Sequence, residues 1–146
     1  MGNCKVGKTS LLRQYSYTYN GHRLSWNNNY NATIGTVFFV KKLKLNNQKV
    51  QLVIWDTSGN NKFHSISLPL YKNSDIIIIM YDITYSSSFL DIPYWLENIK
   101  RNSSNEPIIA LIGNKIDSLN RVISFEEGQE FADDNGLYFD EVTVFK

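Results

Sequence analysis

Four short stretches place residue types where they could do chemistry on a phosphorylated ligand. The first is Gly2-Asn3-Cys4-Lys5-Val6-Gly7-Lys8-Thr9, which fits G-x-x-x-x-G-K-[ST] at every required position. The glycines let backbone N–H groups turn inward onto phosphate oxygens. Lys8 then reaches the β- and γ-phosphates and the Thr9 hydroxyl can ligate Mg²⁺. Thr9 and Ser10 open a predicted helix, whose N-terminal dipole adds positive potential at the same place. The second is Ile112-Gly113-Asn114-Lys115-Ile116-Asp117, just past the carboxyl end of a predicted strand, where open α/β sheets bind ligands. The Asp117 carboxylate can accept two N–H donors from a guanine edge, with Asn114 on the other side of the base. Adenine would leave that carboxylate poorly paired, and sites built on such bonds discriminate by about 10⁴–10⁵.

The third stretch is Ile54-Trp55-Asp56-Thr57-Ser58-Gly59. Asp56 ends a predicted strand and could hold Mg²⁺ as a Walker-B acid does. Gly59 offers an N–H that can approach a γ-phosphate with no Cβ in the way. The fourth, Tyr30-Asn31-Ala32-Thr33-Ile34-Gly35, puts a threonine in a loop that could close over Mg²⁺ and a γ-phosphate and release after hydrolysis. Read singly, each stretch has a plainer account as a strand end or polar turn. Their agreement on one ligand favours the chemical reading.

Alternating strands and helices must position these residues. The pattern predicts a helix from Ser10 to about Tyr19 and a loop over the Asn-rich stretch Asn20 to Asn31. Strands at Thr36 to Leu45 and Val50 to Asp56, joined through Asn46-Asn47, read as an antiparallel hairpin with Val50, Leu52 and Ile54 on one face. Thr57 to Lys72 reads as irregular. Asp75 to Tyr81 is a continuous apolar run, as expected of a strand buried on both faces. Ser86 to Ser88 can cap a helix running to Arg101, with Phe89, Ile92, Leu96 and Ile99 at helical spacing. A strand at Ile108 to Gly113, a helix at Phe125 to Asp134 and a strand at Tyr138 to Val144 complete the order. This alternation implies an α/β fold of three layers: a mostly parallel sheet with one antiparallel edge hairpin, covered by helices on both faces.

Composition narrows the partners. With 146 residues the chain suits one domain. Fifteen basic and fourteen acidic residues give a net charge of +1, which supplies no basic field for nucleic acid. A single cysteine excludes an internal disulfide and suits the reducing cytoplasm. No apolar run approaches the ~20 residues that span a bilayer. No secretory signal is evident, so Asn31 and Asn102, although in glycosylation sequons, are expected to stay unmodified. Met1-Gly2-Asn3-Cys4 resembles an acylation start but carries Val6 where Ser or Thr is required.

With these motifs in hand, the chain resembles the small GTPases of the Ras superfamily, and among them the Rab family, from Gly2 to about Thr143. The likeness extends to Ile34-Gly35-Thr36-Val37-Phe38, Lys62-Phe63-His64-Ser65-Ile66, Tyr71-Lys72-Asn73-Ser74 and Met80-Tyr81-Asp82-Ile83-Thr84. The resemblance implies a six-stranded sheet with five helices, a cycle between GDP and GTP with Mg²⁺, and a switch that recruits effectors to vesicle membranes. It implies Mg²⁺ ligands at Thr9, Thr33 and Asp56, and nucleotide contacts from Gly2 to Ser10 and at Gly59, Asn114, Lys115 and Asp117. Catalytic parts are implied for Lys8, Gly59 and Asn60. It also places Trp26 against the guanine, Thr143 and Val144 in the last base-binding loop, and exchange factor, GTPase-activating protein and effectors on segments 30–38 and 57–72.

The departures carry expectations of their own. Asn60 stands where the family usually has a glutamine that orients the attacking water. Cys4 and Lys5 replace small residues. Thr33 follows Thr9 by 24 positions, six more than in the family. Of an aromatic triad near the switches, Phe38 and Trp55 match, while Leu70 replaces a tyrosine; Thr143-Val144-Phe145 matches the final loop weakly. No strand precedes Gly2, and neither a last helix nor prenylation cysteines follow. The domain is therefore expected to be incomplete, with a missing strand between Val50–Asp56 and Asp75–Tyr81, and membrane association is not encoded. Two functions fit: a slow GTP hydrolase completed by an activating partner, or a guanine-nucleotide or partner-binding module with impaired hydrolysis. Another P-loop enzyme, such as a small kinase, is disfavoured by Asn114-Lys115-Ile116-Asp117.

Overall fold

The computed structural model describes residues 1–18, 32, 33, 35–60 and 64–144, without the side chains of 17, 18 and 64–67. Five strands and five helices follow in order among them: α1 (Lys8–Thr18), β1 (Thr36–Leu45), β2 (Gln48–Thr57), α2 (His64–Lys72), β3 (Ile76–Asp82), α3 (Ser86–Leu90), α4 (Ile92–Asn102), β4 (Ile108–Asn114), α5 (Phe125–Asn135) and β5 (Tyr138–Val142). The predicted loop over 20–31 lies outside the described residues.

The β1–β2 hairpin pairs without a slip from Thr36 opposite Thr57 to Leu45 opposite Gln48. Asn46 and Asn47 both take positive φ, 46° and 66°, as the tight turn between twisted strands requires. Val50, Leu52 and Ile54 are half-buried on one face while Gln51, Val53 and Trp55 are exposed on the other, which is the period-2 pattern expected of a half-buried strand.

Strands β3, β4 and β5 form a separate parallel sheet in that order. Its core side holds Ile77, Ile79, Tyr81 and Leu111 against Ile92, Leu96 and Ile99 of α4 and Ala132 of α5. Fully burying one such isoleucine contributes about 1.5–3 kcal/mol. The expectation of burial on both faces holds only toward the carboxyl ends. Ile76, Ile78, Ile108 and Tyr138, all at or near the amino ends, are exposed.

No ladder joins β2 to β3 among the described residues. Met1 bridges the two sheets: its backbone nitrogen donates to Ile78 O, its carbonyl accepts from Met80 N at 3.0 Å, and its sulfur accepts from Thr57 Oγ1 at 3.3 Å.

Two sequence expectations are corrected. Residues 64–72 are helical rather than irregular; Pro69 removes one helix hydrogen bond and masks the pattern, but Leu68 and Tyr71, three positions apart, reach the core. The single helix expected from the serines to Arg101 is two. Pro93 near the start of α4 has no N–H to continue the α3 ladder, so the chain breaks at Asp91. The serines cap nothing there; Tyr85 is the N-cap, and buried Ser88 instead accepts from Asp82 N at 3.0 Å and donates to Tyr85 O at 2.7 Å. Helix α5 runs one residue further than expected, between a Ser124–Glu127 capping box and a left-handed Gly136.

Candidate functional site

The carboxyl ends of β2, β3 and β4 and the amino end of α1 meet at one place. Gly2 and Gly7 take φ of 121° and 104°, and a Cβ on either would lie 2.1 Å from Met80 O or Asn114 Nδ2. Only glycine fits this path. Lys5 also has positive φ, 66°, at an exposed position beside exposed Cys4, whereas Val6 is buried. Lys8 Nζ folds back across the loop to Gly2 O at 2.7 Å and Asn3 O at 2.8 Å. Burial pushes its ammonium down to about 8, against an opposing pull from Asp56. Ser10 is half-buried in the first turn of α1.

Three oxygens from separate segments converge beside that lysine. Thr9 Oγ1 donates to Asp56 Oδ2 at 2.6 Å and lies 2.8 Å from Thr33 Oγ1, which is itself 3.4 Å from Asp56 Oδ2. The second carboxylate oxygen, Asp56 Oδ1, is buried with no hydrogen-bond partner among the described residues. Two hydroxyls and a carboxylate with an unsatisfied oxygen are the hard donor set Mg²⁺ takes, with phosphate oxygens and water completing it. The site residues present fit that ion.

The hairpin ties the two loops flanking this centre: Ser58 N donates to Gly35 O at 3.1 Å. Gly59 is half-buried, and exposed Asn60 donates its backbone N–H to Ser58 Oγ at 3.2 Å. Phe38 and Trp55 stand opposite each other in register on the exposed hairpin face, ring centroids 5.2 Å apart; Leu70 is half-buried.

Asn114 does something the sequence did not reveal. It is fully buried, and its Nδ2 donates to Val6 O at 2.8 Å, fastening the strand-β4 motif to the glycine loop. Its Oδ1 has no partner among the described residues. Lys115, at φ 74°, pairs with Asp82, whose other oxygen accepts from Thr84 N and Oγ1 at 2.9 and 2.7 Å. Asp117 Oδ1 accepts from Thr143 Oγ1, so the weakly matching last loop does reach the base motif; Val144 beside it is buried. Trp26 lies outside the described residues, as do 30, 31, 34 and 61–63 of the two switch segments. A further pair, Asp91 and Trp95, grips the Asn3 side chain. No local pattern marks these contacts, because they join residues about ninety positions apart.

A glycine loop that opens a helix, a lysine folded across it, and a hydroxyl–carboxylate cluster at the strand ends define a P-loop nucleotide-binding protein. Comparison with known proteins narrows the class. The family model for the Ras family matches residues 1–145. Human Ras-related protein Rab-30 is 37% identical over 145 residues, 99% of this chain and 68% of that protein. Ras-related protein Rab-10 of Caenorhabditis elegans is 37% identical over 99% of this chain and 69% of its own length, and GTP-binding protein YPT1 of Saccharomyces cerevisiae 37% over 99% and 68%. The chain belongs to the Ras family. It is a Rab-like small GTPase that binds GTP and GDP with Mg²⁺, hydrolyses GTP, and acts in vesicle trafficking, which disfavours the reading as a bare binding module. Among the described residues, no helix is long and apolar enough to cross a membrane.

Proposed function

We propose that the switch is built from the following parts. Backbone N–H groups from Gly2 to Ser10 and the Lys8 ammonium hold the phosphates. Thr9, Thr33 and Asp56 would hold Mg²⁺, which would supply positive charge to offset that of the phosphates. Asn114, Lys115 and Asp117, with Thr143 and Val144 behind them and Trp26 against the ring, hold the guanine. Water attacks the γ-phosphorus and GDP leaves as phosphate forms. Gly59 offers its N–H to the γ-phosphate, and Asn60 orients the water from one methylene too far back, so unaided turnover is slow.

The observation that carries this reading is the convergence of Thr9, Thr33 and Asp56, from a helix start, a loop and a strand end, beside a buried unpartnered carboxylate oxygen. Exchange factors, activating proteins and effectors meet the protein through segments 30–38 and 57–72, with the exposed Phe38–Trp55 pair as the apolar contact. The site of action is the cytoplasmic face of an endomembrane.

Equilibrium binding of GDP with Mg²⁺ and with a chelator tests the site. In the wild type, removing Mg²⁺ should weaken binding by about tenfold or more, and Asp56→Ala should abolish that dependence. Binding indifferent to Mg²⁺ in the wild type, or an Asp56→Ala protein that keeps the full dependence, would refute the assignment.

A further inference from the structure

Asn3 occupies the second position of the glycine loop, and both ends of its amide are engaged from outside that loop. Its Nδ2 donates to Asp91 Oδ2 at 2.6 Å, and its Oδ1 accepts from Trp95 Nε1 at 3.0 Å. Both partners come from one place: Asp91 is the break between α3 and α4, and Trp95 sits one turn further on, 3% exposed. Asp91 stands at the N-cap of α4, where an aspartate ordinarily accepts from the helix's own N–H groups. Here its side chain makes no cap hydrogen bond. It serves Asn3 instead.

The backbone of Asn3 is a junction as well. Its carbonyl accepts from Lys8 Nζ at 2.8 Å. On the far side lies Gly59: a Cβ there would fall 2.4 Å from Asn3 C and Cys4 N and 2.5 Å from Asn3 O. The Asn3–Cys4 peptide is thus held between the α4 side chains and the backbone of the γ-phosphate-facing loop. A rotation of the Asn3 side chain off its two partners frees that peptide to tilt, and the tilt moves the acceptor of Lys8 and the surface against which Gly59 rests.

We propose that Asp91 and Trp95 are positioning residues which, through Asn3, set where Lys8 and Gly59 stand and so set the preference for the triphosphate over the diphosphate. The inference rests on the assignment of the Gly2–Thr9 loop to the nucleotide phosphates. Gly59 faces the terminal phosphate alone and Lys8 reaches both it and the β-phosphate, so loosening the clamp weakens GTP, which has both contacts to lose, more than GDP, which has one. Loss of general stability would lower both alike.

The test is a reciprocal exchange in the full chain, read as the ratio of GTP to GDP affinity, with a thermal melt to check folding. Asn3→Asp sets two carboxylates against each other and should lower that ratio about fivefold or more. Trp95→Phe keeps a ring but removes the N–H, leaving Asn3 Oδ1 without its donor, and should lower the ratio about threefold. Asn3→Asp combined with Asp91→Asn restores the pairing with donors and acceptor exchanged, since a carboxylate at position 3 accepts from both Trp95 and the new amide; the ratio should return to within about twofold of wild type. An unchanged ratio in both folded single variants overturns the proposal, and so does a folded double variant that fails to recover. A wild-type chain that binds neither nucleotide refutes the loop assignment and the clamp's role with it. The contact itself has a separate readout: the Trp95 indole proton resonance should move in Asn3→Ala without nucleotide, and a resonance that stays put also overturns the clamp.

Discussion

Removing the amide of Asn114 tests how the base motif and the phosphate loop are joined. Asn114 is 0% exposed, and its Nδ2 is 2.8 Å from Val6 O, in a loop residue that is itself 1% exposed. Asn114→Ala leaves that carbonyl buried and unpaired, which costs about 1–3 kcal/mol. The small void left by the amide adds to the cost, while the already unpartnered Oδ1 removes nothing when it goes. We expect a loss of about 2–3 kcal/mol in a denaturant titration, roughly a 30- to 150-fold change in the folding constant. Asn114→Asp should be worse at neutral pH, because it keeps the volume but turns an acceptor toward an acceptor. Burial raises the introduced carboxyl above its unfolded value. The sign then follows: the protonated acid can donate to Val6 O, so the Asn114→Asp penalty should be full above that raised value and shrink as pH falls through it. A loss below about 0.5 kcal/mol in Asn114→Ala, or an Asn114→Asp protein as stable as wild type at neutral pH, would show that this hydrogen bond does not join the two halves of the site.

Three more outcomes follow from the same geometry. Asp117→Asn replaces a double acceptor with one acceptor and one donor; GTP affinity should fall by several kcal/mol and preference shift toward xanthine nucleotides, and unchanged GTP affinity in a titration removes the guanine assignment. Asn60→Gln restores the missing methylene and should raise single-turnover hydrolysis about tenfold, equal to ~1.4 kcal/mol of barrier; an unchanged rate means water positioning does not limit this protein, and exposed Cys4 becomes the group to replace. Lys8, held down at about 8 by burial, should regain its charge beside phosphates, so binding takes up a proton in the alkaline range. GDP affinity should then fall above pH 8, by up to about tenfold per unit, and an affinity flat to pH 10 refutes this; by the opposite sign, the nucleotide-free chain loses its Lys8 burial penalty as pH rises through 8.

Local chemistry determined much of this protein before any coordinates. The glycine loop, the strand-ending Asp56, the hairpin with its Asn46-Asn47 turn and the Asn114–Asp117 motif are each set by neighbours within a dozen residues, where backbone freedom, side-chain period and donor geometry are legible. The same locality explains the misreadings. Pro69 hid α2 because its helix is stabilised by Leu68 and Tyr71 meeting the core rather than by its own propensity. The apolar spacing continues from Ser86 across a proline that breaks the ladder, so it predicts one helix where the chain forms two. Tertiary structure alone decided that Asn114 fastens to Val6, that Thr143 reaches Asp117, that Lys115 pairs with Asp82, and that Asp91 and Trp95 hold Asn3. Those bonds join residues brought together by the packing of α4 and the parallel strands. A hydrogen bond needs its donor within about 3 Å, and a chain's sequence carries no such distance between residues 26 to 108 positions apart.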